Sequence, residues 1–276
     1  MDASIPTIRV DYHFHPNLPR RDGAAQRKIA RLYERFAHGG ISAVLITEHV
    51  YKDPLRAWRM MRAQQPEGIT VFPGLEYLTK EGIDVCLFAE TDAIYTYSWV
   101  PYALSYEDVL DFLAQHPDVR GFVTHPYTLG TTSIITKKGL PFTKEAIARL
   151  GSVECTYSVF RDLKKLLGIP LVRWLAASVL SRIELNEKLP EALHPAEARF
   201  FAIGSDAHQV WEIGPCAEVI QKETLFASIV GNTTIRAYGI DQGALWRLVP
   251  AALTTIHEWF QKRLTAYSTI AKRPSF

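Results

Sequence analysis

The chain has 276 residues, of which 47% are hydrophobic and 22% are charged, and its formal net charge is +2. This composition is typical of a globular protein and excludes a chain that is disordered throughout. The small net charge gives no electrostatic indication of a nucleic-acid or anionic-membrane surface.

Short β-branched runs alternate with helical patterns along the chain. Residues 8–12 read as a first strand, and residues 23–38 carry apolar side chains at helical spacing before Gly39-Gly40, which predicts an amphipathic helix. The further predicted strands are 41–47, 69–73, 83–89, 121–124, 151–155 and 200–204. The further predicted helices are 54–65, 105–116 and 143–150.

This alternation predicts parallel strands with crossover helices, and hence an α/β fold. No glycine-rich phosphate loop follows any predicted strand, which favours a TIM-like (β/α)7 barrel over a nucleotide-binding sheet. We expect a barrel domain over residues 1–240 with a helical insert at about 156–199. Residues 241–276 are expected to form a C-terminal helical extension.

Polar residues with metal-binding side chains recur where the predicted strands end. Active sites of α/β barrels lie at that rim, so these side chains are expected to meet. They comprise five of the nine histidines and two carboxylates, namely His13, His15, His49, Glu76, His125, Asp206 and His208.

The spacing of these residues indicates metal binding. In an extended segment, His13 and His15 point to the same side, and Asp206 and His208 repeat that spacing. A mixture of imidazole and carboxylate suits Zn²⁺, Mn²⁺ or Fe²⁺. More than four candidate ligands predict two or three ions, with Glu76 as the bridging carboxylate.

The order of these motifs resembles the PHP family, the polymerase and histidinol phosphatase domains. The matching segments are HFH (13–15), TEH (47–49), GLE (74–76), THP (124–126) and GSDAH (204–208). The resemblance implies a distorted seven-stranded TIM-like barrel with a metal cluster at the C-terminal ends of the strands, and hydrolysis of phosphoesters.

Carried over to this sequence, the resemblance divides the ligands among three ions. One ion is expected at His13, His15, Glu76 and Asp206, a second at Glu76 and His125, and a third at His49 and His208.

Three further residues are candidates at positions where family members carry functional side chains. Asp22 precedes Gly23 and stands near the position of a third-site ligand, displaced by a short insertion. Cys86 takes the place of a histidine in the fourth strand and is either a thiolate ligand or an inert core cysteine. Glu154 in the sixth strand is expected to orient a histidine ligand or the substrate.

The predicted activity is hydrolysis of a small phosphomonoester or nucleotide by a metal-bound hydroxide. Glu76, Asp206 and His208 are the expected catalytic residues, and Lys137, Lys138 and Arg161 are candidates for binding the phosphate. A single-strand exonuclease and an amidohydrolase-type C–N hydrolase are the alternatives. The sequence has no basic run with interleaved aromatic residues, so it does not favour nucleic acid as the substrate.

The expected location is the cytoplasm. The first residues lack the basic and apolar regions of a secretory signal, and no apolar segment is long enough to span a membrane. Three widely spaced cysteines do not form a disulfide framework. We expect no membrane partner. The predicted activity implies a small-molecule substrate, and the sequence does not predict the oligomeric state.

Overall fold

The computed structural model describes residues 5–127, 133–156, 200–233 and 237–238. The strands are β1 Thr7–Phe14, β2 Ala43–Ile46, β3 Thr70–Leu78, β4 Asp84–Ala89, β5 Val119–Val123, β6 Ser152–Thr156, β7 Phe200–Ile203, β8 Cys216–Ile220 and β9 Ala237–Tyr238. The α-helices are α1 Asp22–Gly39, α2 Pro54–Ala63, α3 Tyr106–Gln115, α4 Ile134–Leu150 and α5 Leu225–Val230. Short 3-10 helices lie at Asp92–Thr96 and Val210–Glu212.

The strands form one sheet in the order β7-β6-β5-β4-β3-β2-β1-β8-β9, which curls into a nearly closed barrel. The barrel closes where the segment after β7 meets the end of β1. There, the amide of His15 donates to the carbonyl of Ala207 at 3.0 Å, and the amide of Asp206 donates to the carbonyl of His13 at 2.7 Å. The predicted α/β barrel fold is confirmed.

The prediction that the strands are all parallel is wrong for β4. This strand pairs antiparallel with both β3 and β5. Since β3 extends to Leu78, only residues 79–83 connect it to β4. A parallel connection needs a dozen or more residues, so this short turn, with Gly82 at φ 76°, can only reverse the chain.

The strand that covers the outer part of β1 was not predicted. β8 pairs antiparallel with β1 from Thr7 to Val10, and β9 pairs antiparallel with β8. Along the edge that faces away from β2, β1 therefore pairs first with β8 and then, near Phe14, with the segment after β7.

Helix α1 illustrates how the sequence pattern sets the packing. Its buried residues, Ala25, Ile29, Leu32, Tyr33 and Phe36, recur at helical spacing and pack on the outside of the sheet. Gly40 ends the helix in the left-handed conformation at φ 62°, which a glycine adopts without steric cost.

Helix α4 is longer than the predicted helix at residues 143–150. It begins at Ile134 and contains a break at Gly139, whose φ of 78° is not helical. The periodic pattern becomes regular only after this break, so the sequence predicts the second part alone.

The core has one cluster inside the barrel and two outside it. The inner cluster draws apolar side chains from seven strands, including Tyr12, Leu45, Phe88 and Phe122, and fills the barrel. The two outer clusters lie between the strands and helices. The inner cluster therefore fills the barrel below its rim.

The predicted insert beyond Thr156 and the C-terminal extension at 241–276 lie outside the described residues. Among the helices that are described, none has the length and apolar character needed to cross a bilayer.

Candidate metal centre

The rim of the barrel brings together all seven principal ligand candidates. His13 and Glu76 lie within strands, and the others follow the strands β1, β2, β5 and β7. Six of the seven are buried, and the Asp206 side chain is 19% exposed. A continuous, mostly buried set of imidazoles and carboxylates thus faces the barrel axis.

A β-bulge in β1 turns His13 and His15 toward this axis. The three-residue step from Asp11 to Phe14 in β1 faces the two-residue step from Val44 to Ile46 in β2, so the alternation of side chains shifts. As a result Tyr12 packs in the inner cluster and Phe14 in an outer one. His13 then lies over Phe122 of the inner cluster, with ring centroids 6.3 Å apart.

The first group of candidate ligands consists of His13, His15 and Asp206. The Nε2 atoms of the two histidines are 2.9 Å apart. The Asp206 Oδ1 atom lies 3.5 Å from His13 Nε2 and 3.3 Å from His15 Nε2. Three ligand atoms from the two closing strands of the barrel therefore converge.

A second group contains three imidazoles, those of His15, His49 and His208. The Nε2 atoms of His49 and His208 are 3.2 Å apart, and the His15 ring stacks on both other rings at centroid distances of 4.2 and 4.3 Å. Burial, together with the neighbouring His49 and His208, lowers the pKa of His15 to about 4. This favours the neutral imidazole, the form that binds a cation.

Glu76 lies between these groups and His125. Its Oε1 atom is 3.7 Å from His13 Nε2 and 3.3 Å from His125 Nε2. Its Oε2 atom is 3.8 Å from His15 Nε2 and contacts His49 Nδ1. The carboxylate thus occupies the position that a bridging ligand would need.

Two further groups involve β4. Cys86 groups with His13 and Glu76, and Asp84 groups with Glu76 and His125. Asp84 was not predicted as a candidate, because the prediction rests on residues that end the strands and Asp84 begins β4. Since β4 is antiparallel, its first residue lies at the rim, while Cys86 lies deeper, in the inner cluster. Burial raises the pKa of the Cys86 thiol to about 12, which opposes formation of a thiolate.

The donor set fits a cluster of divalent cations. In each of the four groups, the ligand atoms all lie within 4.8 Å of one another. Neighbouring groups share a member: His15, His13 and Glu76 each belong to two of them. Imidazole and carboxylate donors in this mixture suit Zn²⁺, Mn²⁺ or Fe²⁺.

Two buried carboxylates form hydrogen bonds with candidate ligands or with residues next to them. Glu154 accepts a hydrogen bond from His13 Nδ1 at 3.1 Å and from the backbone amide of His125 at 2.8 Å. Asp11 accepts from the amide and hydroxyl of Ser205 at 2.9 and 2.6 Å. Burial raises the pKa of Asp11 to about 7, although the bonds from Ser205 oppose this. Glu154 is thus placed to orient a histidine.

Two of the candidate ligands have a backbone conformation that is rare for residues other than glycine. His125 has a φ of 27° and Asp206 a φ of 48°. Such conformations cost free energy and cluster at functional sites, where surrounding contacts hold them. Here the amide of His125 donates to Glu154, and the amide of Asp206 donates to the carbonyl of His13.

Some predicted site residues are not brought to the cluster. The structure does not bring Asp22 to the cluster: its side chain is 75% exposed and pairs with Arg56 at 2.9 Å, because α1 starts there. Lys137 and Lys138 are exposed on α4, where the Lys138 ammonium lies 5.7 Å from the ring centroid of Phe142. Arg161 lies outside the described residues.

Two lysines beside the three-imidazole group were missed. Lys28 Nζ donates to the carbonyls of Asn17 and His208, each at 3.1 Å. Lys52 Nζ lies 3.4 Å from Glu48 Oε1 and 3.2 Å from Asn17 Oδ1. Lys52 stands three residues after a motif histidine, and that closeness is the signal that could have identified it.

Comparison with known proteins shows the fold alone. No protein-family model matches the chain, and no curated protein matches it. Among solved structures, the chain is similar to the crystal structure of PsfC from Pseudomonas syringae PB-5123, with a TM-score of 0.54 and 16% sequence identity. That match covers 92% of this chain and 99% of PsfC.

Proposed function

We propose that this protein is a metal-dependent phosphoesterase that hydrolyses a small phosphomonoester or nucleotide. The observation that carries the proposal is the linked arrangement of the four ligand groups, with Glu76 between them. The motifs that supply these ligands resemble those of the PHP family in type and order, which supports phosphoester chemistry.

The ligand groups fit two or three divalent ions. His13, His15 and Asp206 would hold one, Glu76 would be shared with a second near His125, and His49 with His208 would complete a third. When bound, such ions lower the pKa of a water molecule and neutralise charge on phosphate oxygens.

The protein's own side chains would bind and orient the substrate. Lys28 and Lys52 place two ammonium groups beside the three-imidazole group, where they would attract an anionic phosphate. Asp206 has the most exposed carboxylate of the principal ligand set, so it is the group placed to exchange a proton with solvent. The inner cluster closes the barrel beneath the site, so substrate would approach from the rim.

The proposal is tested by metal analysis together with a substrate panel. We expect two to three equivalents of transition metal per chain after reconstitution with Mn²⁺ or Zn²⁺. An aryl phosphate should be hydrolysed faster than an aryl amide or a cyclic amide, and inorganic phosphate should inhibit competitively.

Three outcomes would contradict it. One equivalent of metal or fewer would contradict the cluster, and hydrolysis of amides without any phosphoester activity would indicate a C–N hydrolase instead. Faster hydrolysis of single-stranded oligonucleotides than of mononucleotides would indicate an exonuclease.

A further inference from the structure

The first residue of β4 lies at the metal-binding rim because this strand runs against its neighbours. Asp84 faces Leu78 across the β3–β4 pair, and Cys86 faces Glu76. Asp84 and Cys86 are two residues apart and so lie on the same face of the strand, with Asp84 nearer the rim. Asp84 is 1% exposed, so a carboxylate is held inside the barrel at this point.

The contacts of Asp84 place it beside His125 and Glu76. Its Oδ2 atom lies 3.8 Å from His125 Nε2, and Glu76 Oε1 lies 3.3 Å from the same nitrogen. The Thr124 hydroxyl donates to the Asp84 carbonyl at 2.9 Å, which ties the start of β4 to the end of β5. The ligand atoms of the three residues all lie within 4.8 Å of one another.

A buried carboxylate needs a compensating positive charge. Here a second carboxylate, that of Glu76, lies in the same group, and two negative charges in one buried position repel each other. The imidazole of His125, which faces both carboxylates, can carry one positive charge at most. A divalent cation between the three side chains would balance both carboxylates.

We propose that Asp84 is the third protein ligand of the metal position formed by Glu76 and His125, and that this position prefers a harder cation than the position of His15, His49 and His208. The inference rests on the proposed metal-dependent function. It assigns Asp84 the ligand role that the sequence analysis considered for Cys86.

The difference in cation preference follows from the donor atoms. One position offers two carboxylates and one imidazole, and the other offers three imidazoles. Carboxylates suit Mn²⁺ and Mg²⁺, while imidazoles suit Zn²⁺ and other later transition metals. Zn²⁺ binds a given site of nitrogen and oxygen donors more tightly than Mn²⁺ does, so the difference between the positions shows when Mn²⁺ is in large excess. Under that condition Mn²⁺ should occupy the position of Asp84, and Zn²⁺ should occupy the three-imidazole position.

The test is competitive reconstitution of the full chain with Zn²⁺ and a large excess of Mn²⁺, followed by elemental analysis and by electron paramagnetic resonance of bound Mn²⁺. We expect the native protein to hold both metals. Asp84→Asn should lose about one equivalent per chain, taken mainly from Mn²⁺, and retain Zn²⁺. Asp84→His should keep the total and exchange Mn²⁺ for Zn²⁺.

Two control variants separate this idea from its rivals. Asp111→Asn, an exposed carboxylate on α3, should leave both metals unchanged, and Cys86→Ala should keep the total. If Cys86→Ala loses the equivalent instead, or if both Asp84 variants keep the native total and the native ratio, Asp84 is not the ligand. A native protein that binds no metal would contradict the proposed function itself.

Discussion

Glu76 is the residue through which the ligand groups are connected. It faces four imidazoles, three of them with a nitrogen 3.3 to 3.8 Å from a carboxylate oxygen and the fourth in direct contact. A single negative charge at this point would be shared by two cations, so its loss weakens both positions at once.

Replacing Glu76 by glutamine should therefore abolish most of the activity while the fold survives. The amide keeps the shape of the side chain and removes the charge, and the barrel body rather than the rim supplies stability. Loss of several kcal/mol of charge stabilisation corresponds to a fall of about 10²-fold or more in kcat/KM. Phosphate release and circular dichroism measure the two effects.

Glu90→Gln is the matched control, because that carboxylate is exposed beyond the end of β4. It should retain native activity. Near-native activity in the Glu76→Gln variant itself would remove this residue from the mechanism.

Glu154 acts on the site through His13 and His125 rather than by facing the shared centre. Glu154→Gln should lower metal affinity or activity by about 10- to 100-fold, because a neutral amide is a weaker acceptor for the His13 imidazole. Glu145→Gln, at an exposed carboxylate, is the control. If both variants bind metal with the same affinity, the contact between Glu154 and His13 does not affect metal binding.

Residue patterns predicted which candidate ligands meet at the rim because those patterns are local. A His-x-His or Asp-x-His spacing at the end of an apolar run depends only on strand geometry and on the barrel rule. Asp84 does not follow that rule, because its place at the rim depends on the direction of β4. Lys28 lies on α1 and reaches the site only through tertiary packing.

At the scale of elements, the close approach of β1 and the segment after β7 determines where His13 stands. A Cβ atom at Gly204 would lie 2.3 Å from the Cβ of His13 and 2.5 Å from its backbone nitrogen. Neither atom can move without shifting β1. The glycine is therefore required by the closure of the barrel.

The variant Gly204→Ala should be less stable by about 1–3 kcal/mol or more, because the added methyl group forces the two elements apart. Metal affinity should fall with it, since His13 would be displaced. The urea midpoint and a metal titration measure these effects.

Gly23→Ala serves as the control, because the added Cβ would lie 3.8 Å from the nearest atom and within helix α1. Its urea midpoint should stay the same or rise, by an amount that corresponds to at most about 1 kcal/mol of stability. A urea midpoint in Gly204→Ala that equals that of the native protein would show that the barrel accommodates the added methyl group between β1 and the segment after β7.

The elements themselves were predictable where a periodic apolar pattern or a cap marks them, as in α1 and α3. The bulge in β1 and the direction of β4 were not. Both depend on pairing with a partner strand: the bulge is defined only against β2, and the reversal of β4 follows from the true length of β3. A sequence pattern read one strand at a time contains neither.

At the scale of the whole molecule, the candidate ligands come from both ends of the described barrel. His13 and His15 stand at the end of β1, whereas Asp206 and His208 follow β7, and the two pairs meet only when the barrel closes. The unfolded chain has no such arrangement, so ions bound at the rim would stabilise the folded state selectively.

Removal of metal should consequently lower the melting temperature of the whole chain. An ion present at about 100 times its dissociation constant contributes about 2.7 kcal/mol, which for a chain of this size corresponds to roughly 5–10 °C. Thermal unfolding of the reconstituted protein, before and after dialysis against a chelator, measures the shift. In Glu76→Gln the shift should shrink, because the charge shared between positions is gone. If chelation leaves the native melting temperature unchanged, then closure of the barrel is not coupled to metal binding, and the cluster of imidazoles must be stable on its hydrogen bonds alone.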